Sequence, residues 1–168
     1  MAQERDNIVL IGMPGSGKST VGVVLAKQTG RGFIDSDLII QSMQGKTLQQ
    51  IVDARGFEVL RQVEEDALLS LAVENHVVAT GGSAVYSEAG MSHLKRLGQI
   101  VFLDVDLPSL EARVGDFSQR GIAMRPDQSF ADLFAERVAL YRQYADITVA
   151  GGDAPHETVA ERIHHALR

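Results

Sequence analysis

Short hydrophobic runs alternate along the chain with longer segments in which hydrophobic residues recur at helical spacing. Runs such as IVLI at 8–11 and IVFL at 100–103 are continuous, as in strands that are covered on both faces. We predict strands at residues 8–11, 32–35, 77–79, 100–103 and 147–149. We predict helices at residues 18–29, 37–73 with breaks near Gly45 and Gly56, 87–97, 108–114, 129–144 and from 155 onward. This alternation indicates an α/β fold in which helices cover both faces of a five-stranded parallel sheet.

The composition fits a single domain with one buried core. The chain has 168 residues, of which 45% are hydrophobic. No window approaches the roughly 18 uninterrupted apolar residues of a membrane span. The first residues, MAQERD, lack the basic start and apolar run of a signal peptide. We therefore expect a cytoplasmic protein that has no membrane partner.

Charge and cysteine content narrow the classes of function further. Sixteen Lys and Arg against 22 Asp and Glu give a net charge of −6, which disfavours a nucleic-acid partner. The chain has no cysteine, which excludes disulfides, thiolate zinc sites and cysteine nucleophiles. The five histidines show no metal-ligand spacing. We expect a monomer that acts on a small molecule.

Residues 12–19, GMPGSGKS, match the phosphate-loop pattern G-x-x-x-x-G-K-[ST] between a predicted strand and a predicted helix. Backbone N–H groups of such a loop surround phosphate oxygens, its lysine reaches the β- and γ-phosphates, and its last hydroxyl ligates Mg²⁺. A chance match in an ordinary glycine-rich turn is the alternative. The predicted nucleotide-binding residues of the loop are Gly12, Gly15, Ser16, Gly17, Lys18, Ser19 and Thr20. Lys18 is also predicted to be catalytic, and Ser19 to bind the metal.

The rest of the chain indicates which kind of phosphate-loop protein this is. Its small size and the helical insertion after the second strand favour a kinase that acts on a small molecule. A GTPase would be expected to carry the base-reading segment N-K-x-D, and the chain has none.

Polar residues follow the second and third predicted strands, at the edge where open parallel sheets bind ligands. Of Asp35 and Asp37, one carboxylate can reach the Mg²⁺ shell while the other accepts the proton of an attacking hydroxyl. The alternative is that Ser36 or Asp37 only caps the next helix. Gly81 and Gly82 would let a ligand approach the backbone closely, unless they form a plain tight turn.

Residues 115–126 are polar, contain glycine and lack periodicity, which predicts a mobile lid over the phosphates. Arg120 and Arg125 within it could stabilise phosphate charge, or one of them could simply be solvated. Asp104 ends the fourth strand and leads toward this region. We therefore expect Asp104 to cap the following helix, and we assign the metal carboxylate to Asp35.

Two arginines point to an anionic acceptor. Arg137 lies within the apolar stripe of the predicted helix 129–144, so its guanidinium should point inward. Arg61 lies on the edge of the apolar stripe of the insertion. Burying an arginine is costly unless it is paired, so both suit a carboxylate or phosphate of a ligand. The alternative partner is an acidic residue of the chain, such as Glu64 or Glu65.

Taken together, these residues resemble the shikimate kinase family. The matching features are, in chain order, the loop 12–19, Asp35 with Asp37, Gly56 followed by LRQVE at 60–64, ATGG at 79–82, and RVALY at 137–141 before Ala145 and Asp146. The resemblance implies a three-layer fold like that of nucleoside-monophosphate kinases, forming one domain over 1–168. It implies a core of 1–37, 74–114 and 127–168, a substrate-binding insertion at about 38–73 and a lid at about 115–126.

The resemblance also implies transfer of the γ-phosphoryl group of ATP to a ring hydroxyl of shikimate, with Mg²⁺ as cofactor. It implies Asp37 as the carboxylate that faces the hydroxyl, and Asp35 and Ser19 near Mg²⁺. The implied substrate-binding residues are Asp37, Arg61, Gly81, Gly82 and Arg137. On the nucleotide side the implied residues are Arg113 against the adenine, Pro155 in the adenine pocket, and Arg120, preferred over Arg125, as the catalytic lid arginine.

The chain departs from the family pattern at five positions, several of them in the substrate-binding segments. Phe57 replaces Glu, Leu60 and Val52 each replace Phe, Ser83 replaces a third Gly, and Gly121 replaces Pro. Two alternatives therefore remain: a kinase of another small hydroxy acid or polyol, such as gluconate or homoserine, and a nucleotide-binding module that has lost phosphoryl transfer. Asp37 argues against the second, because a pure binder has no need of a carboxylate that faces the acceptor.

Overall fold

The computed structural model describes residues 6–115 and 121–167, which form one parallel sheet covered by helices. The strands are β1 (Asn7–Ile11), β2 (Gly32–Asp35), β3 (His76–Ala79), β4 (Gly98–Asp104) and β5 (Ile147–Ala150). Their order is β2-β3-β1-β4-β5, and every neighbouring pair is parallel. The structure thereby confirms the predicted α/β architecture with five parallel strands.

Helices connect the strands and lie on both faces of the sheet. They are α1 (Lys18–Thr29), α2 (Ser36–Gln44), α3 (Leu48–Arg55), α4 (Phe57–Leu69), α5 (Glu88–Leu97), α6 (Leu107–Val114), α7 (Phe130–Tyr144) and α8 (His156–Ala166), with a 3₁₀ turn at Ala84–Tyr86. The predicted insertion consists of α2, α3 and α4, which are separated at Gly45 and Gly56 as expected. None of the described helices is long and apolar enough to cross a membrane.

Alternate residues of each strand point to opposite faces of the sheet, and each face has its own hydrophobic cluster. Val9 and Ile11 pack toward α4, α5 and α7, where Phe102 stacks on Tyr141 with 5.1 Å between ring centroids. Ile8 and Leu10 pack against α1 and α8 on the other face. A third cluster joins the insertion to Ala123, which lies within the predicted lid segment. Strands buried on both faces explain the continuous apolar runs.

Two aspartates cap the helices that begin at the carboxyl edge. The Asp106 side chain accepts hydrogen bonds from Ser109 at the start of α6. The prediction that Asp104 caps this helix is wrong, because β4 continues through Asp104, which pairs with Ala150 of β5. Asp35, rather than Ser36 or Asp37, caps α2.

Asn7 ties the amino end of the sheet together. Its side chain is 2% exposed and donates to the carbonyls of Val73 and Leu97 at 2.7 and 2.9 Å. It also accepts from the backbone N–H of His76 at 2.8 Å. One amide therefore connects β1 to the chain segments that lead into β3 and β4, at the end of the sheet opposite the phosphate loop.

We expect Asn7→Ala to lower the free energy of unfolding by about 2–4 kcal/mol, because it leaves three partly buried backbone groups without their partner. Urea unfolding followed by circular dichroism measures this loss. Gln99→Ala is the matched control, since Gln99 lies on the adjacent strand β4 and shows no side-chain hydrogen bond to any described residue. Equal unfolding midpoints for the two variants would contradict the assignment.

Candidate active site

A cavity of about 320 Å³ opens at the carboxyl edge of the sheet. Its walls come from the phosphate loop, the ends of β2 and β3, the insertion, the segment after residue 120, and α7. The lining residues are Pro14, Gly15, Gly17, Lys18, Ser19, Thr20, Asp37, Ile40, Leu48, Leu60, Glu64, Thr80, Gly81, Gly82, Ser83, Gly121, Ile122, Ala123 and Arg137. The cavity thus brings together most of the residues predicted for nucleotide and acceptor.

The phosphate loop passes directly over the end of β4. Gly12 has a φ of +153°, and a Cβ there would lie 2.9 Å from the carbonyl oxygen of Leu103. Only glycine permits this approach. Gly12 and Ser16 do not line the cavity, but each accepts a hydrogen bond from the Lys18 ammonium.

Lys18 is buried among neutral acceptors. Its Nζ donates to the carbonyls of Gly12 and Met13 at 2.7 and 2.8 Å. Burial lowers the pKa of Lys18 to about 8. None of the described carboxylates forms an ion pair with this ammonium, so a bound phosphate would be its first anionic partner.

Ser19 and Asp35 lie side by side where α1 begins and β2 ends. The Ser19 hydroxyl donates to Asp35 Oδ2 at 2.6 Å. The other oxygen of Asp35 accepts from the backbone N–H of Asp37 at 2.9 Å, which fixes the carboxylate in place. A hydroxyl and a carboxylate are hard oxygen donors of the kind that Mg²⁺ prefers. The described residues contain no group of three or more His, Cys, Asp or Glu side chains that could hold a metal ion.

Asp37 and Glu64 converge on Gly81 from two elements. A Cβ on Gly81 would collide with Asp37 Oδ1 and with Glu64 Oε1, so both carboxylates reach the same point of the loop after β3. Burial and the neighbouring Asp35 raise the pKa of Asp37 to about 6. Burial and Asp37 raise the pKa of Glu64 to about 7. Glu64 accepts from the Ser83 hydroxyl through Oε2, while its buried Oε1 has no hydrogen-bond partner.

Arg137 points inward as predicted and is 1% exposed. Its Nη2 donates to the carbonyl of Ala123 at 2.7 Å, and its buried Nε has no partner. No described carboxylate lies within ion-pair distance of its guanidinium. The alternative pairing with Glu64 or Glu65 is therefore not formed, and Glu65 accepts from Ser87 instead.

Arg61 lies outside this lining, in an adjoining cavity of about 240 Å³ behind Glu64 and Ser83. Its guanidinium carbon is 3.8 Å from the centroid of the Tyr86 ring and 5.1 Å from that of Phe57. Arg61 therefore does not line the cavity that contains Arg137, but the two cavities adjoin and share Glu64 and Ser83.

The remaining predicted residues do not line the main cavity, or they lie outside the described residues. Arg113 donates to the carbonyl of Gly15 at 3.1 Å, so it lies beside the phosphate loop. Pro155 precedes α8 as its N-terminal cap residue. Arg125 is half-exposed and lies 3.7 Å from Glu136. Arg120, the predicted lid arginine, lies outside the described residues.

Sequence reasoning missed Glu64 and Tyr86 as site residues. A signal for Glu64 was available, since it shares one helical stripe with Leu60 and Ala67, and a carboxylate within an apolar stripe points inward. For Tyr86 there was none, because its neighbours come from α4 and α7, which are distant in sequence.

Comparison with known proteins is consistent with this geometry. Residues 14–168 match the family model described as shikimate kinase. The shikimate kinase of Vibrio vulnificus is 35% identical over 166 residues, which cover 97% of this chain and 96% of that protein. The chain belongs to the shikimate kinase family. The shikimate kinase of Aquifex aeolicus is 36% identical and covers 92% of each chain.

Solved structures of family members share the fold over nearly the whole chain. Shikimate kinase from Acinetobacter baumannii in complex with shikimate has a TM-score of 0.89 at 31% identity, covering 96% of this chain and 92% of that one. The Aquifex aeolicus enzyme has a TM-score of 0.83 at 34% identity, covering 96% and 95%. The phosphate-loop kinase fold is therefore established for this chain.

We expect Asp37→Asn to stabilise the ligand-free protein at pH 8 by about 1–3 kcal/mol. The folded state holds the Asp37 proton more tightly than the unfolded chain, since the pKa rises from 3.8 to about 6. Wild-type stability is therefore lost as pH rises through this interval, and asparagine avoids the loss. The gain should be much smaller at pH 4, because there the wild-type carboxyl is protonated in the folded state and only partly ionised in the unfolded chain.

Urea unfolding at pH 8 and at pH 4 measures the effect of Asp37→Asn. Asp127→Asn is the matched control, because Asp127 is exposed and the same substitution there removes a solvated charge. A loss of stability at pH 8 for Asp37→Asn would show that the Asp37 carboxylate is satisfied in the empty site, contrary to this account.

Proposed function

We propose that this chain transfers the γ-phosphoryl group of ATP to a hydroxyl of shikimate, which yields shikimate 3-phosphate and ADP. One observation carries the proposal: Lys18 and Ser19 of the phosphate loop share a single cavity with Asp37 and Arg137. Donor and acceptor ligands would therefore meet in one site. Family membership and the fold shared with a shikimate-bound relative support shikimate as the acceptor.

Asp37 is positioned to act on the acceptor hydroxyl. With a pKa of about 6 its carboxylate is ionised at neutral pH and still basic enough to accept a hydrogen bond or a proton. The hydroxyl oxygen then forms a bond to the γ-phosphorus as the bond to the bridging oxygen of ADP breaks. The proton moves to Asp37, and the electron pair of the broken bond stays with ADP.

Lys18 and the metal ligands serve the phosphate side. The Lys18 ammonium lies on two loop carbonyls, from which it can turn toward the β- and γ-phosphates. Ser19 and Asp35 would hold Mg²⁺, which when bound offsets the negative charge of the phosphates. Arg113 and Pro155 would flank the adenine, and Arg120 would be the lid arginine that stabilises the transferring group.

Arg137 supplies the charge that selects an anionic acceptor. Its guanidinium has a buried Nε without a partner and no described carboxylate at ion-pair distance. A carboxylate of the acceptor would satisfy it, with the backbone of Gly81 and Gly82 close by. A neutral polyol would leave this buried charge unpaired. Among the alternatives, this favours hydroxy acids such as shikimate or gluconate over uncharged sugars.

The test is an ADP-release assay with shikimate, gluconate, homoserine and a neutral polyol such as inositol as acceptors. We expect shikimate to give the highest kcat/KM. Arg137→Ala should lower kcat/KM for shikimate by about two to three orders of magnitude, because it removes a buried charged hydrogen bond, and leave the KM for ATP nearly unchanged. ADP release that no acceptor accelerates would favour a module without phosphoryl transfer.

Arg142→Ala is the control for Arg137→Ala, since Arg142 lies exposed on the same helix. It should leave both kinetic constants unchanged. Faster turnover of inositol than of shikimate by the wild-type enzyme, or an equal loss of ATP and acceptor affinity in Arg137→Ala, would overturn the proposal.

The pH dependence of kcat/KM for shikimate should have an acidic limb near pH 6, below which activity falls about tenfold per pH unit. The reason is that Asp37 is protonated below its raised pKa and can no longer accept the hydroxyl proton. Steady-state kinetics from pH 5 to 8 measure the limb. A profile that stays flat down to pH 5 would remove Asp37 from this role.

A further inference from the structure

The Tyr86 ring contacts the two arginines of the acceptor side at once. The guanidinium carbon of Arg61 lies 3.8 Å from the ring centroid, and that of Arg137 lies 5.4 Å from it. Both distances are within the range of a cation–π interaction. Two like charges from different helices, α4 and α7, therefore both lie against one neutral ring.

Neither guanidinium has an ion-pair partner among the described residues. A carboxylate in the place of Tyr86 would attract both arginines more strongly, but it would also neutralise them and compete with an incoming anion. An aromatic face attracts a cation without neutralising it. Phe57, where the family pattern has Glu, adds a second ring 5.1 Å from Arg61. The surroundings of Arg61 thus hold its positive charge in place and leave it available to an anionic ligand.

Tyr86 is itself fixed by the helix that carries Arg137. Its hydroxyl donates to Glu136 Oε1 at 2.6 Å, and Glu136 precedes Arg137 in α7. The second oxygen of Glu136 accepts from Gln128 at 3.0 Å and lies 3.7 Å from Arg125. These contacts occupy the nearest carboxylate on α7 and keep it from pairing with either guanidinium.

We propose that Tyr86 is a positioning residue, whose ring orients Arg61 in the adjoining cavity and Arg137 in the main cavity so that both guanidiniums act on the carboxylate of the acceptor. The inference rests on the proposed function, because it assumes a carboxylate-bearing acceptor in the cavity next to Arg137. Tyr86 does not touch the reacting atoms in this account. Its contribution is to reduce the cost of bringing two like charges to one anion.

The decisive comparison is between Tyr86→Leu, which removes the ring, and Tyr86→Phe, which keeps the ring and removes the bond to Glu136. We expect Tyr86→Leu to raise the KM for shikimate about fivefold to thirtyfold, the range that corresponds to the loss of a largely desolvated cation–π contact. The KM for ATP should stay within about twofold, and kcat should change less than the KM for shikimate. Tyr86→Phe should restore the KM to within about threefold of the wild type.

Shikimate methyl ester separates positioning of a charge-binding site from general damage to the cavity. The ester carries the same hydroxyls without the negative charge, so Tyr86→Leu should alter its kcat/KM by less than twofold relative to the wild type. Val85→Ala is the structural control, because Val85 is buried in the same 3₁₀ turn and its aliphatic side chain offers no aromatic face to a guanidinium. Val85→Ala should lower the melting temperature without changing the ratio of the KM for shikimate to the KM for ATP.

Three results would overturn the role of Tyr86. The first is that Tyr86→Leu loses as much activity on the ester as on shikimate. The second is that Val85→Ala raises the KM for shikimate as much as Tyr86→Leu does. The third is a Tyr86→Phe variant as impaired as Tyr86→Leu, which would assign the effect to the hydroxyl. Failure of the wild-type enzyme to phosphorylate shikimate would instead overturn the proposed function, and this inference with it.

Discussion

Four ionisable side chains share one small cavity without forming ion pairs with one another: Lys18, Asp37, Glu64 and Arg137. Burial moves the pKa values of three of them toward neutrality, Lys18 downward and the two carboxyls upward. Taking charges out of water without pairing them costs free energy that the empty protein does not recover. A phosphate on Lys18, a hydroxyl on Asp37 and a carboxylate on Arg137 would recover it. On the proposed function, ligand binding would therefore offset the cost of burying these charges, as in other sites that bind and polarise substrates.

The rest of the fold stabilises this arrangement from outside the cavity. The strands of the sheet are buried between two layers of helices, and the polar links that join strands at their amino ends, such as those of Asn7, lie far from the phosphate loop. The polar contacts that stabilise the sheet and the residues of the candidate site thus lie at opposite ends of the sheet. Gly12 lets the loop pass over β4. This brings Lys18 into the cavity that also contains Asp37, Glu64 and Arg137.

Local patterns predicted the fold and the phosphate side well, because continuous apolar runs and a loop motif are encoded within a few neighbouring residues. Arg137 was predictable for a similar reason, since a charge in an apolar helical stripe must point inward. The capping role given to Asp104 failed because the end of β4 depends on its pairing with Ala150, a partner 46 residues away. The position of Arg61 could not be predicted either, since the Tyr86 ring that contacts it belongs to the 3₁₀ turn after β3. Contacts between distant segments decide such details.

The departures from the family pattern change the shape of the insertion that borders the acceptor site and, at position 57, replace an acidic side chain with an aromatic ring. Val52, Phe57 and Leu60 belong to one hydrophobic cluster of the insertion, in which two positions carry less bulk than the family's Phe and one carries a ring in place of Glu. Such exchanges within one cluster can compensate for one another in volume. Gly121 donates its backbone N–H to Gln49 Oε1 at 2.5 Å, a hydrogen bond that the proline of the family pattern could not make. The replacement therefore exchanges the proline ring for a contact with α3. Asp37, Gly81 and Arg137, the residues proposed to bind the acceptor, are all retained, so the departures alter the surroundings of the proposed site and not these three residues.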